Sequence, residues 1–134
     1  MGEGEQGPVP ESTRTAVVMR RDDGLVVTRI EALVIQSLAD ARDNLDATIR
    51  ACAGQRRPLL IDISRAKPLD PEVRHFYTGE RLVEAFLALG LLVEASPLGR
   101  MMGNIYFSVA KPGIPTRLFT DEPSAIQWLQ TFLP

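Results

Sequence analysis

The stretch Pro58–Pro71 reads PLLIDISRAKPLDP and decides the fold of this 134-residue chain. Its apolar part, Leu59–Ile63, is interrupted only by Asp62 and is typical of a central strand covered on both faces. The polar loop Ser64–Asp70 follows, and Pro71 suits the first turn of a helix. Because α/β domains place binding sites where a buried strand ends and a helix begins, this loop is the first candidate site.

The residues before this stretch predict a β-hairpin and a helix. Apolar runs predict strands over residues 13–20 and 25–30, and the Asp-Gly pair within residues 21–24 is a hairpin turn signal. Apolar residues then recur at intervals of three and four over residues 36–52, which predicts an amphipathic helix that ends at Gly54.

The residues after Pro71 leave one assignment open. A second helix is expected from Pro71 to about residue 86, with Gly79 as a weak point that costs about 1 kcal/mol relative to alanine. The segment 86–95 either extends this helix or forms a strand. We favour a strand over residues 88–94, because the alternation of strands and helices requires one there.

The end of the chain completes an α/β pattern. A third helix is expected over residues 97–110, a short strand over 116–120, and a fourth helix after Asp121. The prediction is therefore one α/β domain over residues 13–134, with a mixed sheet of about five strands covered by four helices. Residues 1–12, acidic and rich in glycine and proline, are expected to be a disordered lead-in.

Composition narrows the classes of function. A net charge of −2 gives no general attraction to nucleic acid or to an anionic membrane. No apolar run approaches the ~18 residues of a membrane span, and the acidic N-terminus does not resemble a signal peptide, so a cytoplasmic protein is expected. The single cysteine, Cys52, falls on the apolar stripe of the first helix and is expected to be a buried, inert thiol.

The sequence offers little for catalysis. His75 is the only histidine, and one histidine with one cysteine cannot form an ordinary zinc site. Asp62 and Asp70 flank the key loop and are candidates for acid and base partners, but bonding of loop amides and helix capping are the favoured roles. We therefore expect no enzymatic activity, no metal and no cofactor.

A binding hypothesis follows from the expected topology. If strands 59–63 and 88–94 are parallel, the loops that follow them lie at one edge of the sheet. The candidate site residues on these loops are Ser64, Arg65, Lys67, Asp70, Ser96 and Arg100. Guanidinium groups and helix N-termini suit a small anion or an acidic side chain of a partner, and ordinary solvated loop charges are the alternative.

A second binding hypothesis concerns the predicted third helix. Met101, Met102, Tyr106 and Phe107 cover more of this helix than one inner face requires. Either the helix is almost fully buried, or one side of it forms a homodimer contact or a lipid-binding surface.

The order of elements and one motif resemble a known family. The motif Leu60–Ser64, LIDIS, followed by Asp70 at a helix start, resembles the STAS domain, the family that includes bacterial anti-sigma-factor antagonists. The stretch Pro115–Leu129, PTRLFTDEPSAIQWL, is similar to the ending of SpoIIAA-like proteins, small bacterial domains mostly of unknown function. These proteins also resemble CRAL-TRIO lipid-binding domains in outline.

The resemblance implies a non-enzymatic bacterial regulatory or binding module that contacts a protein or a small ligand. Lipid or small apolar ligand binding, as in CRAL-TRIO-like domains, is the alternative, and an enzyme of unknown class comes third. In the antagonists, a phosphorylatable serine follows the aspartate at the helix start. Here Pro71 follows Asp70 and has no hydroxyl, and neither Ser64 nor Thr78 is a clean substitute.

Overall fold

The computed structural model describes residues 10–67, 69–77, 79–94 and 113–134 of the chain. Among these residues, six strands form one mixed sheet in the order in which they occur in the sequence. The strands are β1 Glu11–Ser12, β2 Ala16–Arg20, β3 Val26–Ile30, β4 Arg57–Asp62, β5 Phe86–Leu92 and β6 Thr116–Phe119. The helices are α1 Leu38–Ala51, α2 Pro71–Tyr77, α3 Glu80–Ala85 and α4 Glu122–Gln130.

The predicted hairpin is present. Strands β2 and β3 are antiparallel, with Ala16 opposite Ile30 and Arg20 opposite Val26. The turn between them requires glycine at Gly24, where φ is 99°, a value that side-chain-bearing residues rarely adopt. The Asp-Gly signal in the sequence therefore identified this turn correctly.

The other half of the sheet is parallel. Strands β3, β4, β5 and β6 are parallel neighbours, and their register aligns Arg29, Asp62, Leu92 and Phe119 in one row across the sheet. The loops that follow these strands therefore emerge together. We call this side of the molecule the carboxyl edge, formed by the residues that end or directly follow β3 to β6.

The first face of the sheet is covered by α1, α2 and α3. Side chains alternate along β4, so that Leu59 and Ile61 pack in the cluster that contains these helices, and Leu60 packs on the opposite face. Helix α1 begins with a capping box, in which Ser37 Oγ accepts from the Asp40 N–H at 3.1 Å and Asp40 Oδ2 accepts from the Ser37 N–H at 2.9 Å.

The second face is covered by α4. Asp121 caps this helix by accepting a hydrogen bond from the Ser124 N–H at 2.9 Å. Ala125 and Leu129 are fully buried against the sheet. The helix approaches β5 closely at Gly90, where an added Cβ would lie 3.0 Å from Leu129 Cδ1.

Several predictions need correction or adjustment. The sheet has six strands instead of five, because Glu11 and Ser12 pair with β2 inside the segment 1–12 that was expected to be a disordered lead-in. The helix expected from Pro71 to residue 86 is two short helices that meet at Gly79, which stands at the N-cap of α3. The strand reading of residues 88–94 is confirmed, since β5 occupies Phe86–Leu92.

Part of the prediction falls outside the described residues. The whole of the expected third helix, residues 97–110, lies there, as do residues 1–9. Within the described ranges, no helix combines the length and the apolar character that a membrane crossing requires.

Candidate functional site

An open cleft lies at the carboxyl edge. Its lining comes from the ends of β3, β4 and β5 and from the start of α4. The lining residues are Arg29, Asp62, Ser64, Arg65, Leu92, Glu94, Thr120, Asp121 and Glu122. The cleft is therefore built from four segments that are distant in sequence and that the parallel register brings together.

Ser64 fastens the loop after β4 to the end of β5. Its Oγ accepts a hydrogen bond from the Glu94 N–H at 3.0 Å and lies 3.4 Å from the Leu92 carbonyl oxygen, to which it donates. The Ser64 N–H donates to Asp62 Oδ1 at 3.0 Å, an Asx-type turn. The expected neighbourhood of the two loops is thus confirmed as far as Glu94.

Arg29 joins three elements at the same edge. Its Nη1 lies 2.9 Å from Asp62 Oδ2 and 2.8 Å from Glu122 Oε1, and its Nη2 donates to Glu122 Oε2 at 3.0 Å. Hydrogen bonding to Glu122, and then to Asp62, raises the pKa of Arg29 above its ordinary value. The guanidinium group therefore holds β3, β4 and the first turn of α4 in one arrangement.

The predicted site residues are only partly brought together. Ser64 and Arg65 line the cleft, whereas Lys67 and Asp70 are exposed farther along the same loop. The Asp70 carbonyl accepts from the N–H groups of Val73 and Arg74, both at 3.0 Å, so Asp70 does stand at the start of α2. The remaining two predicted residues, Ser96 and Arg100, lie outside the described residues.

The charge of the cleft differs from the expectation of an anion site. Among its described lining residues, the four carboxylates of Asp62, Glu94, Asp121 and Glu122 outnumber the two guanidinium groups of Arg29 and Arg65. A small anion in this part of the cleft would meet more like charge than opposite charge. A partner that carries both signs of charge would find counterparts for each.

Sequence reasoning missed Arg29 and Glu122. They are separated by 93 positions, and each taken alone looks like an ordinary surface residue. One signal was available: Arg29 is the single charged residue in the apolar run Leu25–Ile30, and it shares a strand face with the buried Val27. A charge on a largely buried strand face calls for a partner.

The loop between β3 and α1 was also missed. Residues 32–35, Ala-Leu-Val-Ile, form what we call the apolar loop, and Leu33 and Ile35 are 73% and 65% exposed. The Leu33 N–H donates to the carbonyl of Arg65 at 3.1 Å, which places this loop beside the cleft. Leu33 has φ of 58°, in the left-handed region that leucine rarely adopts.

A second polar group of residues lies inside the molecule, between the sheet, α1 and α2. Asn44 is buried, and its amide nitrogen donates to Thr15 Oγ1 at 2.8 Å, to Gln36 Oε1 at 3.0 Å and to Tyr77 Oη at 3.0 Å. Its amide oxygen accepts from the Thr13 hydroxyl. Burial raises the pKa of Tyr77 above its ordinary value, so its hydroxyl stays neutral.

A small cavity adjoins this buried network. Its volume is about 20 Å³, and Thr28, Thr48, Asn44 and Tyr77 are among its lining residues. A single water needs roughly 10–15 Å³ of such space, so one water fits. An acyl chain does not, and this cavity therefore gives no support to the alternative of an apolar-ligand carrier.

The expected burial of Cys52 is confirmed, and burial raises the pKa of its thiol to about 11, so it is protonated at neutral pH. In the ranges that the structure describes, no group of three His, Cys, Asp or Glu side chains is placed to hold a metal ion.

Comparisons with known proteins give one result. No curated protein and no solved structure matches the chain. A family model does match, over residues 19–133, and this range contains β3 to β6, α1 to α4 and the whole cleft. The chain therefore belongs to the family described as a domain of unknown function, DUF7793.

Proposed function

We propose that this chain is a non-enzymatic binding module that contacts a protein partner through the carboxyl edge of its sheet. One observation carries the proposal: an exposed guanidinium group lies beside two side chains that hold the ends of the strands together. These side chains are Arg29 and Ser64, which act through the contacts given above. Arg65 is exposed, and its guanidinium group has no ion-pair partner among the described residues.

The mixed charge of the cleft supports a protein partner over a small anion. Charged rims of both signs steer partners and select against wrong ones, because each misplaced charge meets a like charge. The similarity to STAS and SpoIIAA-like domains agrees with this proposal, since it implies a bacterial regulatory module that works in the cytoplasm by contact.

A phosphorylation switch at Ser64 is not part of the proposal. The Ser64 hydroxyl accepts from the Glu94 N–H and donates to the Leu92 carbonyl, so its role is to join β4 to β5. A phosphoryl group on this oxygen would remove the bond to Leu92 and crowd the bond to Glu94. Modification of Ser64 would therefore weaken the link between the loop after β4 and the end of β5.

Affinity capture with matched baits tests the proposal. The wild-type chain, Arg65→Glu and Arg42→Glu are each used as bait in the native cell extract, with quantitative mass spectrometry as the readout. Arg42 is exposed on α1, so its variant has the same change of charge away from the cleft. We expect a partner that the wild type and Arg42→Glu retain equally and that Arg65→Glu loses at least about tenfold, the equivalent of about 1.4 kcal/mol.

Equal capture of every enriched protein by the two variants would contradict a contact surface at Arg65. Turnover of a substrate by the purified chain would contradict the non-enzymatic part of the proposal. A circular dichroism spectrum of each bait confirms beforehand that both variants are folded.

A further inference from the structure

We propose that the apolar loop and the charges beside it form a two-fold contact between two copies of this chain. The inference rests on the proposed function and deepens it, because it names the partner that binds at the carboxyl edge as a second copy. All the residues that carry it lie within the described ranges.

The apolar loop presents two aliphatic side chains to solvent from an ordered backbone. Leu33 and Ile35 are 73% and 65% exposed and are, with Met19, the large apolar residues that the described surface exposes. The Leu33 N–H donates to the Arg65 carbonyl at 3.1 Å, and the Ile35 carbonyl accepts from Arg14 Nη2 at 2.9 Å. Because an ordered loop loses little further conformational entropy on binding, burial of these side chains would stabilise a contact.

The groove beside the apolar loop is lined by exposed charges of both signs. Glu31, Arg65 and Glu94 line it, together with the apolar side chains of Val17 and Ala32. None of these three charged side chains has an ion-pair partner among the residues that the structure describes. One surface therefore carries an exposed guanidinium group and two carboxylates that are available to a partner.

The other charges at this edge are already used within the chain. Arg29 holds two carboxylates of the cleft and the third caps α4; in this order they are Asp62, Glu122 and Asp121. Arg14, beside the apolar loop, is paired with Asp40. These groups contribute to the arrangement of the edge, and they leave its recognition to the charges without an internal partner.

The charges that remain near the apolar loop balance one another. Lys67 is a second exposed cation with no ion pair to a described residue, so Arg65 and Lys67 stand against Glu31 and Glu94. A wholly acidic segment would meet the two carboxylates, and a wholly basic segment would meet the two cations. The favoured occupant therefore carries both signs of charge around an apolar centre.

A second copy of this chain carries such a surface. In a two-fold contact the same patch serves both copies, so each contact between unlike residues occurs twice. Arg65 of each copy then enters the groove between Glu31 and Glu94 of the other, and the Leu33 and Ile35 side chains of both copies pack at the centre. The net charge of −2 opposes association only weakly, because salt at about 0.15 M screens exposed charges beyond about 8 Å.

Self-association of the full chain is the first test. Sedimentation velocity over a concentration series up to about 1 mM is expected to show a monomer–dimer equilibrium. Arg65→Glu and Glu94→Arg should each weaken the dimer at least about tenfold, because each brings like charges together in the groove. Arg42→Glu is the matched control, exposed on α1, and should keep the wild-type dissociation constant. A wild type that stays monomeric, or a dimer that neither groove variant weakens, would overturn the inference.

A mixture of the two groove variants tests whether the contact is reciprocal. When an Arg65→Glu copy meets a Glu94→Arg copy, one intact Arg65 faces two intact carboxylates, and the introduced glutamate faces the introduced arginine. The mixed dimer is therefore expected to be at least about tenfold tighter than the dimer of either variant alone. No recovery of affinity in the mixture would contradict the two-fold contact.

Leu33→Asn tests the apolar centre. Asparagine tolerates the left-handed backbone at this position, so the variant is expected to stay folded by circular dichroism while its dimer is at least about tenfold weaker. Met19→Thr is the matched control, because Met19 is a partly exposed apolar residue on β2 and does not belong to the apolar loop. A Leu33→Asn variant with the wild-type dissociation constant, or a Met19→Thr variant that loses the dimer, would overturn the inference.

The outcomes separate this inference from the proposed function. If the chain stays monomeric but captures another protein in an Arg65-dependent way, the proposed function holds and the second copy is the wrong partner. If a monomeric chain instead sediments with phosphatidylserine vesicles in a Leu33-dependent way, the occupant is a membrane and the inference is wrong. Failure of Arg65→Glu to affect both dimerisation and capture would contradict the proposed function itself.

Discussion

Two groups of polar residues in this protein differ in how deeply they are buried and in whether their polar groups are already paired. Around Asn44, between the sheet and α1, the amide and hydroxyl groups are buried and satisfy one another. Around Arg29, at the carboxyl edge, the ion pairs are partly exposed and lie beside Arg65, which has no ion-pair partner within the described ranges. The first group adjoins only a cavity that fits one water, and the second borders an open cleft.

The difference leads us to expect different effects of mutation in the two groups. A buried amide that makes all of its hydrogen bonds specifies how its surroundings pack. A half-exposed ion pair contributes little stability. We therefore expect mutations in the Asn44 group to affect unfolding, and mutations at the carboxyl edge to affect binding.

Asn44→Leu gives the largest expected loss of stability. It removes the hydrogen-bond partner of Thr15, Gln36 and Tyr77 in a buried site, which we expect to lower the free energy of unfolding by about 2–4 kcal/mol. Urea unfolding followed by circular dichroism measures this value. Arg42→Leu, on the exposed side of the same helix, is expected to stay within about 0.5 kcal/mol of the wild type. Similar free energies of unfolding for Asn44→Leu and Arg42→Leu would contradict the expected stabilising role of the Asn44 group.

Asp40→Asn is expected to destabilise the chain by about 1 kcal/mol at neutral pH, because charged hydrogen-bond acceptors are stronger than neutral ones. Arg14 Nε donates to Asp40 Oδ1 at 2.9 Å, and this hydrogen bonding holds the pKa of Asp40 well below its usual range. The folded-state pKa lies below the unfolded value of about 3.9, so the stabilisation is present above that pH and is lost as the pH falls.

Urea midpoints of the wild type and Asp40→Asn, measured between pH 7 and pH 3, check this prediction. The gap between the two proteins should be widest at neutral pH and should narrow below pH ~4. A gap that is constant across the range would show that the charge of Asp40 is not what stabilises the start of α1.

The ion pairs of Arg29 should contribute less. A double-mutant cycle with Arg29→Met and Glu122→Gln is expected to give a coupling energy of about 0.5–1 kcal/mol, because the side chains of Arg29 and Glu122 are 42% and 39% exposed. The effect should be screened by salt. Urea unfolding at low and high ionic strength measures the coupling energy. A value as large as the stability loss of Asn44→Leu would mean that the Arg29 group stabilises the fold as strongly as the Asn44 group does.

The last expected effect, similar in size to the Arg29 coupling energy, is a gain in stability. Ala53 follows α1 with φ of 52°, so Ala53→Gly should raise the free energy of unfolding by about 0.5–1 kcal/mol. Leu33→Gly, at the carboxyl edge, should give a similar gain, since its backbone is in the same region. Urea unfolding followed by circular dichroism measures both gains. A loss of stability in either glycine variant would contradict the backbone strain inferred from its positive φ.

Local patterns predicted the elements better than they predicted the site. The hairpin, α1, the central strand and the final helix carry strong periodicity or turn signals, and the structure has them. Strand β1 was missed because two residues, Glu11 and Ser12, are too few to show a period. Helices α2 and α3 were predicted as one helix, because apolar residues recur at helical spacing on both sides of Gly79.

The site depends on contacts between residues that are far apart in the chain. The sequence predicted the position of Ser64 and Arg65 at the carboxyl edge because both directly follow an obvious buried strand. The pairing of Arg29 with Glu122 is set by the register of the parallel strands and by the position of α4 on the sheet. Neither the register nor the helix position can be read from the local sequence. Leu33 was missed because a backbone in the left-handed region has no signature when the residue is leucine.

The strictly sequential strand order has a consequence for synthesis. Each strand pairs with the one made just before it, so the sheet can grow one strand at a time behind the ribosome, without waiting for a distant partner. Among the described elements, however, only α4 covers the face that holds Leu25, Leu60 and Leu92. Within the described part of the chain, this apolar surface therefore stays exposed until α4 is synthesised, and we expect chaperones to bind the nascent chain in that interval.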